Sequence, residues 1–234
     1  MRQAINRIKE LLEECSDQDR RQWQAHAQIV LGAIRTSHPT KRGIQNAIAA
    51  AFLDSTAIQG IRQAGWRRQP VGSDADGLPL VITDDQRKAR ILIATLQLEA
   101  GKPQRKSPPP AAGSGWYIAQ LPKKQTLPTA GRLIHSARNR AARVLAKTCA
   151  YSFMDFDVLA VSIYPITRGP ADFRFALSRS LAPCSHHPNL IAQRQAVPAE
   201  PSNVWASDLA ICLDWHLEAT SQRETSGGSS ADRC

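Results

Sequence analysis

Apolar residues recur at helical spacing through the first part of the chain. Their period predicts helices over 2–15, 18–36, 43–53 and 57–64. Short polar breaks and a proline separate these segments, as is common where one helix ends and the next begins. We therefore expect an N-terminal helical domain over 1–101, in which the helices pack as a bundle.

The period changes after the fourth of these helices. Residues 66–71 and 78–82 flank a turn rich in glycine and aspartate, which predicts two strands joined as a hairpin. Thr83 and Gln86 then have the spacing of a capping box. The apolar residues that follow predict a fifth helix, which ends near Gly101.

The third helix, the fourth helix and the hairpin occur in the order of a winged helix-turn-helix, with Asp54-Ser55-Thr56 as the connection. In such domains the second helix enters the major groove and the hairpin follows the backbone. Arginines would contact phosphates and glutamines would reach base edges. The predicted DNA contacts in this region are Gln59, Arg62, Gln63, Arg67 and Arg68. An ordinary helical bundle face has the same pattern and remains the alternative.

The second half of the chain has a weaker pattern. Residues 102–115 are basic and rich in proline and glycine, which predicts a linker. We expect a small, weakly defined α+β region over 116–219 and a disordered tail over 220–234. The predicted fold is thus mainly α within an α+β class: a helical bundle with a winged helix-turn-helix, a linker, a small α+β region and a tail.

Within that region the elements are less regular. Residues 116–121 and 153–163 predict strands, and 130–148 and 207–219 predict helices. Residues 165–201 have no sustained period, so the sequence does not establish whether 165–234 folds.

Charge is distributed unevenly along the chain. The protein of 234 residues has 30 Lys and Arg against 20 Asp and Glu, a formal net charge of +10. Ten of these cations lie between Lys102 and Lys147, a span without any Asp or Glu. Such a span predicts contact with a polyanion.

The predicted helix over 130–148 carries part of this charge on one face. Its basic residues there are Arg132, Arg140, Arg143 and Lys147. The stripe extends about 22 Å at 1.5 Å per residue, long enough to follow several phosphates. Aromatic residues for base stacking are few in this span, which favours duplex DNA over a single strand.

Cysteine usage bears on the compartment. Cys15, Cys149, Cys184, Cys212 and Cys234 are odd in number, and no pair has Cys-x-x-Cys spacing. This predicts reduced thiols in a cytoplasmic protein. The chain also has no apolar run of membrane-spanning length and no secretory signal pattern.

Two further patterns suggest metal chemistry. Asp155 and Asp157 on a strand would lie side by side and could hold Mg²⁺ for phosphoryl transfer. A second group of metal-ligand types comprises Cys184, His186, His187, Cys212 and His216. Its spacing does not match familiar zinc motifs, so the sequence leaves metal binding there open.

The leading hypothesis is a cytoplasmic duplex-DNA-binding protein, regulatory or accessory to a bacterial or mobile genetic element. We expect it to be non-enzymatic, and the sequence assigns no catalytic residue, cofactor or metal. One alternative is an adaptor or inhibitor that docks an acidic protein partner. Another is a metal-dependent phosphoryl-transfer enzyme. The target sequence, the oligomeric state and the biological process do not follow from the sequence.

Overall fold

The described part of the chain combines helices with a large mixed sheet. The computed structural model describes residues 16–36, 41–69, 79–99, 102–105, 115–122, 151–167, 169 and 172–227. The helices among them are α1 (Asp17–Thr36), α2 (Lys41–Leu53), α3 (Tyr164–Thr167) and α4 (Leu209–Gly227). Helix α2 is prolonged by a π-helical turn (Asp54–Ile58), an α turn (Gln59–Ile61) and a 3-10 turn (Arg62–Ala64), which we call the α2 extension.

Twelve strands lie in these described residues. They are β1 (Arg67–Arg68), β2 (Leu80–Thr83), β3 (Lys88–Leu96), β4 (Leu98–Glu99), β5 (Lys102–Pro103), β6 (Trp116–Gln120), β7 (Tyr151–Ser152), β8 (Val158–Ser162), β9 (Phe173–Leu177), β10 (Pro183–Cys184), β11 (His187–Ile191) and β12 (Arg194–Pro198). A 3-10 turn, Ser178–Ser180, follows β9 directly.

Strand β3 is the centre of a seven-stranded sheet. One of its edges pairs with β2 and, further along, with β6, both antiparallel. The other edge pairs with β8 in parallel, so that Ile91 is in register with Val158. Strands β1, β12 and β9 extend the sheet next to β2, β6 and β8, respectively. Strands β10, β11 and β7 form a separate three-stranded sheet, and β4 pairs with β5.

Each face of the central sheet is covered by its own apolar core. On one face, Ala89 and Ile91 of β3 pack in a cluster with residues of α2, the α2 extension and α4, such as Phe52, Ile58 and Leu213. On the other face, alternate residues of the same strands pack with side chains from the remaining loops and strands. This second cluster includes Leu92, Ala94, Tyr151, Phe156, Leu159, Val161 and Trp205. A strand buried on both faces is apolar at nearly every position.

The expectation of a mainly α fold with an N-terminal helical bundle is wrong, because the chain is α+β. The predicted fifth helix is instead strand β3 with the turn before it. Its run Ile91-Leu92-Ile93-Ala94 is apolar without interruption, which suits a buried strand as well as a buried helix. The suspected cap is also a turn: the Asp84 side chain accepts hydrogen bonds from the backbone N–H groups of Gln86 and Arg87.

The helix-turn-helix prediction is wrong as well, because the third and fourth predicted helices are one continuous helix. Leu53, Ile58 and Gln59 all have right-handed helical dihedral angles. The hydroxyls of Ser55 and Thr56 donate to the Phe52 carbonyl at 3.1 and 2.6 Å instead of capping a new helix. The helix therefore widens into a π turn at the polar residues and does not reverse.

The two strands of the predicted hairpin do pair, but they do not form a separate wing. Strand β1 pairs antiparallel with β2, with Arg67 opposite Thr83. The pair forms one end of the central sheet and is not a separate wing. Strands on both sides of the predicted linker belong to this sheet, and Arg105 within the linker bridges to Tyr117.

The C-terminal predictions had mixed outcomes. The strand over 116–121 is confirmed, whereas that over 153–163 is limited to β8. Residues 165–201, where no period was found, contain β9 to β12. Helix α4 extends to Gly227, past the expected start of the disordered tail. The predictions for 2–15, 106–114, 130–148 and 228–234 lie outside the described residues.

Candidate nucleic-acid surface and an adjoining cleft

Three of the predicted DNA contacts share one face of the α2 extension. Gln59, Arg62 and Gln63 are spaced three and four residues apart, so their side chains are neighbours on a helix. All three are exposed. Gly65 then ends the helix with a φ of 88°, and the chain enters β1, where Arg67 is also exposed. A left-handed residue is a common helix terminator, and glycine adopts it without strain.

The cations at this position differ in their pairing. Arg68 forms a salt bridge with Asp54 of the π turn, with 3.4 Å between Nη1 and Oδ2. Arg62 and Arg67 form no salt bridge with any carboxylate in the part of the chain that the structure describes. Of the predicted arginines here, these two retain an unneutralised charge at the surface.

The sheet adds a cation that sequence reasoning missed. Arg67 is in register with Thr83, and Thr83 is in register with Lys88. Side chains of one register row point to the same face of a sheet, so Arg67 and Lys88 project together, roughly 10 Å apart across two strand spacings. We use the term basic surface for the exposed groups at this edge of the sheet, Gln59, Arg62, Gln63, Arg67 and Lys88; the first three lie on the helix that covers one face, whereas Arg67 and Lys88 point to the opposite face. Lys88 had been assigned to a helix, so its position beside Arg67 was not visible in the sequence.

The remaining predicted DNA contacts lie outside the described residues. These are Arg132, Arg140, Arg143 and Lys147. Their grouping on one helical face stays a prediction.

A cleft of about 240 Å³ lies next to the N-terminal part of β3. Its wall includes Arg90, which follows Lys88 by two residues on β3 and so points to the same face, about 7 Å away. The end of β9 with its 3-10 turn, the loop before β8 and helix α4 supply the rest of the wall. The lining residues are Arg90, Phe153, Met154, Asp157, Leu177, Ser178, Arg179, His216, Ala219 and Thr220.

Arg90 and Asp157 form the fixed part of this cleft. Asp157 Oδ2 accepts hydrogen bonds from the Arg90 backbone N–H at 2.8 Å and from Nε at 3.0 Å, while Oδ1 accepts one from Nη2 at 2.9 Å. Arg90 Nη1 also donates to the Met154 carbonyl at 2.7 Å. Burial alone would raise the pKa of Asp157, but the hydrogen bonds from Arg90 outweigh it and lower that pKa.

His216 and Arg179 form the less constrained part. His216 is half-buried, and its imidazole makes no hydrogen bond to a described residue. Burial lowers the pKa of His216; the Arg179 and Arg90 charges lower it further, and Asp157 opposes them. Arg179 is exposed, and its single hydrogen bond within the described residues is a long one of 3.4 Å, from Nη2 to the Trp215 carbonyl.

Neither proposed metal site is assembled in the described residues. Asp155 and Asp157 lie in the turn before β8 and not on the strand. Asp155 Oδ2 accepts the Ser152 backbone N–H at 2.6 Å, and Asp157 is held by Arg90. No three His, Cys, Asp or Glu side chains lie close enough to hold a metal ion anywhere in this part of the chain.

The cysteines differ from the expectation of reduced thiols. Cys184 is disulfide-bonded, so the expectation is wrong for it. Cys212 is free and buried in α4, and burial raises the pKa of its thiol to about 12. Neither sulfur is therefore available as a thiolate ligand near neutral pH.

Comparisons with protein-family models, curated proteins and solved structures find no match to this chain. Among the described residues, no helix has the length and apolar character needed to cross a bilayer. Function therefore has to be inferred from the basic surface and the cleft themselves.

Proposed function

We propose that this protein binds nucleic acid, with duplex DNA as the preferred form, in a non-enzymatic regulatory or accessory role. The observation that supports the proposal best is the set of exposed cations Arg62, Arg67 and Lys88, none of which is neutralised by a described carboxylate. They belong to a chain whose formal net charge is +10. Cations arranged in this way attract phosphates and release counterions when they bind them.

The neighbouring polar and aromatic residues favour a duplex over a single strand. Gln59 and Gln63 lie beside Arg62 and offer amide groups that can pair with base edges. Proteins that hold single strands use exposed aromatic rings for stacking. Trp66, the aromatic residue nearest to this surface in sequence, is only 4% exposed, and the Arg87 guanidinium lies 5.2 Å from its ring centre.

The mode of docking differs from a helix-turn-helix. The α2 extension ends at this surface, so the negative end of the helix dipole faces any bound phosphate and weakens binding. The arginine and lysine side chains must then supply the attraction. Removing them is expected to have a correspondingly large effect.

The test is a titration of a random-sequence duplex, followed by fluorescence anisotropy, at about 50 and about 200 mM salt. These two concentrations give the slope of log K against log salt. The variant combines Arg62→Gln and Arg67→Gln, and its matched control combines Arg21→Gln and Arg194→Gln, two exposed arginines on α1 and β12. Both double variants lower the net charge equally. We expect the first to reduce the slope of log K against log salt by about 1.8, that is about 0.9 for each lost contact.

The control should retain the parent slope. Equal losses in both variants would show that only overall charge matters, and binding without salt dependence would rule out the electrostatic mechanism. Retention of an acidic polypeptide together with no retention on DNA or heparin would instead favour the alternative, an adaptor or inhibitor of an acidic protein.

A cytoplasmic location and an origin in a bacterial or mobile element remain part of the proposal. The disulfide at Cys184 weighs against the cytoplasm, because cytosolic thiols are normally kept reduced. Alkylation of thiols at the moment of lysis, followed by peptide mapping, distinguishes a cytoplasmic location from an oxidising compartment. A freely alkylated Cys184 fits the cytoplasm, and a Cys184 protected from alkylation fits an oxidising compartment.

A further inference from the structure

We propose that the cleft beside β9 and α4 binds a phosphate dianion, either inorganic phosphate or a terminal phosphate monoester, through Arg179 and His216. This site uses residues other than the basic surface and does not depend on DNA binding. The reasons are the charge of the cleft, its unused hydrogen-bond donors, its size and its apolar walls.

The charge of the cleft lining is positive. Arg90 is neutralised by Asp157 in a bidentate salt bridge, and the negative charge of Asp155 also favours the charged form of Arg90. Arg179 forms no salt bridge with a described carboxylate. Asp157 is the only carboxylate among the lining residues that the structure describes, and it is already engaged by Arg90, so the cleft favours an anion over a metal cation.

The donors that remain unused belong to different elements. Arg179 lies in the 3-10 turn after β9 and uses one N–H donor in the long hydrogen bond to the Trp215 carbonyl. His216 lies on α4, and its imidazole donates no hydrogen bond to a described residue. A flat carboxylate is satisfied by one guanidinium, whereas a tetrahedral phosphate presents oxygens in several directions and suits donors that come from two elements.

The size and walls of the cleft restrict the ligand further. A volume of about 240 Å³ is below the roughly 300–1,000 Å³ of most sites for drug-sized ligands. Phe153, Leu177 and Ala219 contribute apolar surface beside the charges. Apolar walls lower the local dielectric, so a charge pair there is stronger than the same pair on an open surface.

Protonation of His216 and binding of the anion affect each other. The charged groups that act on its imidazole are Asp157 before β8, Arg179 after β9 and Arg90 on β3. A bound dianion adds negative charge next to this set and favours the imidazolium. Ligand binding must therefore raise the pKa of His216, and reciprocally a protonated His216 must bind the ligand more tightly.

The experiment follows the His216 ring signals of the full chain by NMR during titration with inorganic phosphate. Sulfate, which stays a dianion from pH 5 to pH 8, serves as a second probe that removes the titration of the ligand itself. We expect saturable shifts and a higher midpoint for His216 when either anion is present. The absence of saturable shifts would overturn the proposal, and this readout needs no variant.

Substitutions then test the assignment of the donors. Arg179→Gln should weaken phosphate binding about tenfold, as expected for the loss of one charge-assisted bond. His216→Gln should remove the dependence on pH that sulfate binding shows in the parent. The control Arg194→Gln makes the same change in charge on β12 and should leave binding unchanged. Equal weakening by Arg179→Gln and Arg194→Gln would overturn the site.

A final comparison separates the two sources of phosphate. A duplex with 5′-phosphate ends and the same duplex with 5′-hydroxyl ends are titrated against the parent and Arg179→Gln. A preference for the phosphorylated ends that Arg179→Gln abolishes identifies a nucleic-acid terminus as the ligand. Equal binding of both duplexes, with inorganic phosphate still bound, identifies a free phosphate or a small phosphate ester.

Discussion

Asp157 joins Arg90 through both its backbone and its side chain, although the two residues are 67 positions apart. The Asp157 backbone N–H donates to the Arg90 carbonyl at 2.9 Å, and the carboxylate accepts three hydrogen bonds in return. This contact lies where the parallel pair of β3 and β8 begins. It therefore ties the register of the sheet centre to one wall of the cleft.

The first prediction concerns the carboxylate of Asp157. Asp157→Asn keeps the size of the side chain but removes the charge that Arg90 pairs with. We expect the free energy of unfolding to fall by about 2 kcal/mol, in the range for hydrogen bonds to charged groups at a partly exposed site. Urea unfolding followed by circular dichroism measures it, with Asp214→Asn, an exposed aspartate on α4, as a control near zero.

A double variant separates the loss of the bond from the burial of an unpaired charge. If the unpaired guanidinium causes most of the cost, Arg90→Gln with Asp157→Asn should be no less stable than Asp157→Asn alone. Additive losses would mean that the two side chains act independently, which contradicts the observed geometry.

The second prediction compares two glycines of the same segment. Gly60 lies in the helical part of the α2 extension with open space around its Cα, so Gly60→Ala should stabilise the protein by about 0.5–1 kcal/mol. Gly65 has a φ of 88°, where a Cβ is strained, so Gly65→Ala should destabilise it by about 1–2 kcal/mol. Urea midpoints of the two variants measure the difference. A less stable Gly60→Ala would contradict the helical geometry at Gly60, and a more stable Gly65→Ala would contradict its left-handed φ.

Some of the fold could be predicted because local patterns determine it. The strand over 116–121 and the pairing of β1 with β2 follow from alternation and turn chemistry. Strand β3 could not be recognised in this way. Its burial on both faces removes the alternation, and only its three partner strands, two of them distant in sequence, establish its identity.

The candidate sites likewise combine residues that local sequence reveals with residues that only the folded structure brings together. Gln59, Arg62 and Gln63 became candidates because they lie on a predicted helix, and that helical assignment depends on local sequence alone. Arg90 and Arg179 were not, because a cleft formed by β3, β9 and α4 has no signature in any single window of sequence. Asp54-Ser55-Thr56 was taken for the connection between two helices for a related reason: serine and threonine are common in such breaks, but their hydroxyls can also bond back to a carbonyl of the same helix, here that of Phe52.

The third prediction concerns the dependence of stability on pH. The pKa of His216 is lowered in the folded protein by burial and by nearby arginines, below the value of about 6.5 that is usual for histidine. Between the folded and unfolded pKa the unfolded chain binds a proton that the folded protein does not. Stability from this residue is therefore complete above about pH 6.5 and is lost as the pH falls through the folded pKa.

Asp157 contributes in the same direction but over a lower range. Its pKa lies below 3.8 in the folded state, so its contribution is complete above that value and is lost as the pH falls further. Unfolding measured between pH 5 and pH 8 consequently reports on His216 and not on Asp157. The two titrations can be separated by the choice of pH alone.

The measurement is the free energy of unfolding in urea at several pH values for the parent and for His216→Gln, without phosphate. The stability of the parent relative to the variant should fall as the pH is lowered from 7.5 to 5.5, with a slope of at most about 1.4 kcal/mol per pH unit. Added phosphate should reduce this fall, because the dianion favours the protonated imidazole in the folded state. A relative stability that rises as the pH is lowered would mean that the folded protein protonates His216 more readily than the unfolded chain does. In that case the charge balance inferred for the cleft would be incorrect.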